Sequence, residues 1–168
     1  KYNAPIFCTP FTREIIKAIS KDEGIKLKSE IKTLMTDAFY KLTDNVSIEF
    51  VNITHSTPHT VMVALHTRHG IILYANDFKF DNHPVLGKKP NYHKLEELGR
   101  KGILALICDS TRAPKDMKTP SEQVAKEMLR DVLLSTNNKG KAIVVTTFSS
   151  HLARLSSIID CGKKLNRK

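Results

Sequence analysis

Residues 70–84 read GIILYANDFKFDNHP. The stretch opens as a plain buried strand, through Ile71, Ile72, Leu73 and Tyr74. The apolar run then stops at Asn76 and Asp77, and Lys79 and Asp81 follow closely. A core strand has no packing need for a carboxylate at its end. A turn accounts for one cheaply; so does a metal. Two other strand-like runs end the same way. NVSIEFVNIT runs into His55, and ILALIC runs into Asp109.

Working outward, HTVMVALHT and GIILYAN are two β-type runs separated by a tight turn at Arg68-His69-Gly70, which predicts a hairpin. NVSIEFVNIT, with Val46, Ile48 and Phe50 alternating, predicts a strand before it. Upstream, NAPIFCTP reads as a short buried strand. Thr9 then serves as N-cap and Pro10 as the first residue of a helix, whose apolar face is Phe11, Ile15, Ile16 and Ile19 and whose end is Gly24. KLKSEIKTLMTDAFYKL is either a second short helix or an irregular connection. Downstream, NYHKLEELGRKG predicts a short helix closed by Gly99 or Gly102. ILALICD predicts a continuous strand buried on both faces. TPSEQVAKEMLRDVLLST has the strongest helical pattern, with Val124, Met128, Val132 and Leu133 as its apolar stripe. KAIVVTTF predicts a last buried strand, and SSHLARLSSIIDCGKK a last helix capped by Ser149 or Ser150. Antiparallel strands followed by strands alternating with helices describe an α/β protein with a mixed sheet. The stretch 109–120 is either a domain connection or a long active-site loop.

The chain has 168 residues, of which 40% are hydrophobic and 26% charged, the composition of an ordinary globular protein. No apolar run approaches the roughly 18 residues that span a bilayer, and there is no signal-peptide pattern. There is no internal repeat and no low-complexity segment. Lys and Arg number 27 against 17 Asp and Glu, for a net charge of +10. That balance favours a polyanionic partner, nucleic acid first. The three cysteines, Cys8, Cys108 and Cys161, are far apart and lie in apolar stretches. They are expected to be buried thiols in a reducing compartment, and the absence of CxxC argues against a zinc ribbon. A start at Lys1 and an abrupt end in CGKKLNRK lead to the expectation that the chain is an excised piece of a longer protein.

Side chains at the C-terminal ends of strands line the usual ligand crevice of α/β sheets, and His with Asp suits zinc or manganese. Taken singly, Asp77 or Asp109 is more often a turn or cap residue and His55 a structural one. Their recurrence at three strand ends is what points to a site. The HSTPH stretch is not the metalloprotease H-E-x-x-H, because the Glu is missing and Pro58 breaks the required helix. His66 and His69, in HTRH, are expected to face solvent at the hairpin turn. His83, His93 and His151 have no partner pattern. Asp81 reads as an ordinary turn residue.

Together, APIFCTPFT, NITHSTPHTV, YANDFKFD, LICDSTRA, TPSE and VVTTFSSHLARL resemble, in order and spacing, the ribonuclease J family, most closely its archaeal members. The resemblance runs through essentially the whole chain. It implies the C-terminal part of a metallo-β-lactamase αββα sandwich, residues 1–112, followed by the start of a β-CASP α/β domain, residues 113–168. It implies that His55 is a metal ligand and that Asp77 bridges two metal ions. It gives Asp109 a catalytic place beside them, with Ser110 and Thr111 following it in the family wording. The implied metals are two zinc ions, or manganese, and the implied reaction is hydrolysis of RNA phosphodiesters from 5′ to 3′, with endonuclease action left open. The intact enzyme is then expected to be cytoplasmic and homodimeric, with RNA as partner and no membrane contact.

Two positions depart from the family pattern. Asn76 stands where Gly precedes the bridging Asp, and Asn tolerates left-handed dihedrals. His59 stands where Asp is usual. The family's H-x-H-x-D-H motif and its later β-CASP histidines do not occur in these residues, so the chain alone is expected to be inactive. The alternative is a non-catalytic nucleic-acid-binding or scaffold protein of the same fold. A DNA-directed relative would differ in substrate alone.

Overall fold

The structure, a computed structural model, describes residues 4–167. Its elements are β1 (Ile6–Cys8), α1 (Pro10–Asp22), β2 (Ile31–Thr33), β3 (Phe39–Lys41), β4 (Val46–Asn52), β5 (Val61–Thr67), β6 (Gly70–Asn76), α2 (Tyr92–Lys101), β7 (Ile103–Cys108), α3 (Glu122–Leu134) and α4 (Leu152–Lys164). Strands β3 to β7 form one mixed sheet in sequence order. The β3–β6 pairings are antiparallel and β6–β7 is parallel. β1 and β2 form a separate parallel pair. The chain is therefore an α/β protein with a mixed sheet, as its patterning predicts.

Side-chain alternation along the strands sorts the sheet into two faces. One carries Val51, Met62, Ala64, Ile71 and Leu73, packed with Leu98 and Leu95 of α2 into the hydrophobic core. Asn91 caps α2, accepting the Lys94 N–H at 3.1 Å, and Gly102 ends it at φ 85°. On the same face Glu49 lies buried between His66 Nε2 at 2.9 Å and Lys94 Nζ at 3.1 Å. His66 is thus a paired, half-buried residue and not the solvent-facing turn histidine expected. The opposite face carries Phe50, Val63 and Tyr74, which the register places side by side. Phe7 of β1 packs against Tyr40 of β3 with ring centroids 5.1 Å apart.

Several expectations are corrected. The KLKSEIKTLMTDAFYKL segment is neither helix nor wholly irregular: it contains β2 and β3. β7 is an edge strand, with Leu104 61% and Leu106 60% exposed, so it is not buried on both faces. Residues 141–148, KAIVVTTF, form no strand, and Val144 and Phe148 are 87% and 80% exposed. β-branched residues favour a strand only where a neighbouring strand takes up the backbone hydrogen bonds. The α3 stripe of Val124, Met128 and Val132 is exposed, and Leu133 alone of the four is buried. The cap of α4 is His151, whose Nδ1 accepts the Arg154 N–H at 3.3 Å, and not a serine. Cys8 and Cys161 are buried, but Cys108 is exposed because it ends the edge strand. Among the described residues no helix is long and apolar enough to cross a membrane.

Candidate active site

β4, β6 and β7 run in one direction, since β5 is antiparallel to both β4 and β6 while β6 and β7 are parallel. Their C-terminal ends therefore share one edge of the sheet. His55 lies just beyond β4, Asp77 directly follows β6, and Asp109 directly follows β7. The topology delivers all three sequence-derived candidates to the same edge.

Thr54 fixes the first two loops to each other. Its backbone pairs with Lys79 as an isolated antiparallel bridge, and the Lys79 N–H donates to the Thr54 carbonyl at 2.8 Å. Its hydroxyl donates to the Lys79 carbonyl and accepts the Asp81 N–H at 3.0 Å. His55 and Asp77 are thus one residue and two residues from a stapled pair. Asn76, the last residue of β6, sits at φ 53°, the left-handed turn that its side chain tolerates better than most. His55 and Asp77 line one cleft of about 280 Å³ between the Tyr74 face of the sheet and the start of α1. A second depression, of about 330 Å³, lies along α3 at Glu127, Arg130 and Asp131, away from these residues.

Asp109 is not among the residues that line this cleft. Its carboxylate accepts the Thr111 hydroxyl and the Thr111 N–H, the latter at 2.9 Å. These hydrogen bonds from Thr111, with the charges of His55 and Arg112 behind them, hold its carboxyl below the usual carboxylate range. Such a local turn is the ordinary job of an Asp after a strand. What it shares with the other two is the edge of the sheet to which the parallel strands deliver all three.

His55, Asp77 and Asp109 do not make a complete coordination sphere. Among the described residues there is no group of three or more His, Cys, Asp or Glu side chains that could hold a metal ion. A protein metal site of the zinc type takes at least three protein donors. The residues present therefore do not by themselves fit a metal centre.

Two features near this edge carry no local sequence signal. Asp81 is 3% exposed and accepts the Glu122 N–H at 2.8 Å and the His83 N–H at 2.9 Å, with Lys79 Nζ at 3.6 Å. It ties the end of the β6 loop to the start of α3, across 41 positions. Burial pushes its carboxyl up, but the Glu122 N–H, the Ser121 hydroxyl, the His83 N–H and Lys79 together leave it below its ordinary value. Glu122, itself buried, then holds Arg154 through two contacts, Nε to Oε1 at 2.5 Å and Nη2 to Oε2 at 3.0 Å. His151 Nε2 lies 3.5 Å from the same carboxylate. Burial drives the His151 imidazole below its usual value against the pull of Glu122, and Arg154 and His55 add to the lowering. The Ala153 N–H reaches the Ser56 carbonyl at 3.5 Å, which sets the first turn of α4 on the His55 loop.

No protein-family model matches the chain. It is 42% identical to Ribonuclease J of Methanocaldococcus jannaschii over 168 residues, covering 99% of this chain and 38% of that protein. It is 38% identical to Ribonuclease J of Pyrococcus abyssi over 167 residues, 99% of this chain and 37% of the relative. Ribonuclease J 2 of Staphylococcus epidermidis is 31% identical over 166 residues, with 99% and 29% covered. A solved structure described as a protein of unknown function from Enterococcus faecalis V583 superposes with a TM-score of 0.67 over 93% of this chain and 39% of its own. At 16% identity it shows a shared fold and nothing further. The chain spans less than two fifths of the length of the archaeal relatives it matches. Its similarity to them is continuous from end to end, and on that ground it belongs to the ribonuclease J family.

Proposed function

We propose that these 168 residues are part of a metal-dependent ribonuclease that hydrolyses RNA phosphodiesters, with 5′-to-3′ exonuclease action and endonuclease action as a further capacity. The observation that carries this reading is the convergence of His55 and Asp77 in one cleft, with Asp109 delivered to the same edge of the sheet. The name shared by the archaeal relatives and the charge of +10 support RNA as the substrate. His55 and Asp77 are then two ligands of a zinc or manganese site whose remaining donors lie outside the described residues. Asp109 is the acidic group beside it, kept ionised and oriented by Thr111. Residues 1–112 would form part of a metallo-β-lactamase sandwich and residues 113–168 the start of a β-CASP domain. A cytoplasmic homodimer belongs to the same proposal.

The shortage of donors favours a second statement: the 168-residue chain alone does not turn over RNA. The test is to exchange this segment for the corresponding one of the M. jannaschii relative. Cleavage of labelled RNA is then measured with Zn²⁺ or Mn²⁺. The exchanged protein is expected to cleave, and Asp77→Ala to abolish cleavage while RNA binding persists. Near-normal turnover by that variant would remove Asp77 from the site. Stoichiometric binding of two metal ions by the isolated chain would contradict the shortage of donors.

A further inference from the structure

The loop that carries Asp77 goes on to build a ladder of aromatic rings. Phe78 packs against the hydrophobic core. Phe80 meets it at a steep angle, with ring centroids 5.4 Å apart and planes at 71°. Tyr92, the first residue of α2, lies nearly parallel to Phe80, at 5.9 Å and 20°. Its hydroxyl donates to Asn82 Oδ1 at 2.8 Å, which holds the ring in place. The inner ring is thus anchored while the outer two stay open, Phe80 at 50% and Tyr92 at 39% exposure. An ordered pair of rings left facing water is a surface suited to a flat partner.

Its position and charge indicate which partner. The start of α2 is pinned to the end of β4: the Asn91 N–H donates to the Asn52 carbonyl at 3.0 Å, and Asn52 Nδ2 donates to the Lys89 carbonyl at 2.7 Å. The ring pair therefore sits at the sheet edge that receives His55, Asp77 and Asp109. Phe80 follows Asp77 by three residues, at most about 11 Å of extended chain. Neighbouring nucleotides of one strand can reach both. Between Phe78 and Leu95 the only carboxylate is Asp81, which is buried. Lys88 and Lys89 are exposed, and among the described residues neither ammonium makes an ion pair. Open aromatic faces beside unpaired cations match a single-stranded polyanion that carries flat bases.

We propose that the Phe80–Tyr92 pair is a stacking platform for a base of single-stranded RNA, with Lys88 and Lys89 meeting the phosphates beside it. The inference rests on RNA being the substrate. It adds where the strand is held next to the Asp77 edge, and it requires unpaired bases, since a duplex keeps its base faces stacked inside.

The experiment uses the 168-residue chain and two labelled probes of equal length: a single-stranded RNA, and an abasic oligoribonucleotide that keeps the phosphates and lacks the bases. Binding is read by fluorescence anisotropy at low salt. Wild type is expected to bind the base-bearing RNA more tightly by about five- to a hundredfold, the range of one base stacked on an aromatic side chain. Phe80→Leu keeps an apolar side chain against Phe78 and removes the π face. It should erase that preference and leave abasic binding unchanged, whereas Phe80→Tyr, which keeps the ring, should retain it. The chain has no tryptophan, so Phe80→Trp supplies a single indole at the platform. Base-bearing RNA should quench its emission and the abasic probe should not. Equal wild-type affinity for the two probes overturns the proposal, as does a preference that survives Phe80→Leu. Indole emission that RNA leaves unchanged while it binds also overturns it. Failure to bind either probe overturns the RNA reading itself along with this inference.

Discussion

Asp77 and Asp81 lie four residues apart in one loop, and the structure gives them opposite surroundings. Replacing each by alanine separates the two. Asp81 is almost fully buried and takes two backbone N–H groups, from Glu122 at 2.8 Å and His83 at 2.9 Å. A hydrogen bond to a charged group contributes about 1.5–3 kcal/mol, and the Glu122 N–H stands at the positive end of α3. Two such bonds give an upper figure of about 6 kcal/mol by the same measure. The His83 N–H is only partly buried, so water replaces much of its loss. A net destabilisation of about 3 kcal/mol is therefore expected for Asp81→Ala, and about half of that for Asp81→Asn, which keeps an acceptor but no charge. Asp77 is exposed at the end of β6, and Asp77→Ala should stay within about 0.5 kcal/mol of wild type. Urea unfolding of the 168-residue chain at pH 7 measures all three. The pH dependence follows from the sign of the shift. The folded carboxyl of Asp81 lies below its ordinary value. Its contribution is therefore complete above the unfolded value, near 4, and is lost as pH falls through the folded value. The gap between wild type and Asp81→Ala should accordingly close in acid. If Asp81→Ala and Asp77→Ala are equally mild at pH 7, the account of Asp81 as the tie between the β6 loop and α3 is wrong.

Glu122→Ala breaks the two-point contact with Arg154 and removes the neighbour of His151; since Arg154 is partly exposed, the loss should be about 2 kcal/mol in thermal melts. A double-mutant cycle with Arg154→Ala should show coupling, and strict additivity would deny the pair any energetic role. The exposed apolar edge at β7 predicts association of the isolated chain, so Leu104→Lys with Leu106→Lys should lower light scattering, and unchanged scattering would clear this edge. Hydrogen bonds from Lys101 and Lys94 bring the Glu97 carboxyl down to about 2; Lys101→Ala should raise its NMR titration midpoint toward the ordinary range, and an unmoved midpoint would assign the shift elsewhere.

Much of the fold was legible from local pattern. The β5–β6 hairpin, the boundaries of α1 at Pro10 and of α2 at Gly102, and the left-handed turn at Asn76 all depend on the chemistry of neighbouring residues. So does the delivery of His55, Asp77 and Asp109 to strand ends, because strand periodicity and breakers are short-range properties. Other features depended on what lies across space. KAIVVTTF has the composition of a strand, but composition supplies no partner, and without one it stays exposed. ILALIC reads as doubly buried, yet its place at the sheet edge is a property of topology. Asp81 reads as a turn residue because its partners at Glu122 and Lys79 are unmarked in its own window. The alternation of strands and the residues at their ends are written in the sequence by itself. Which carboxylate is buried and which apolar faces stay open were decided only by tertiary structure. Burial and hydrogen-bond satisfaction are set by neighbours that are distant along the chain.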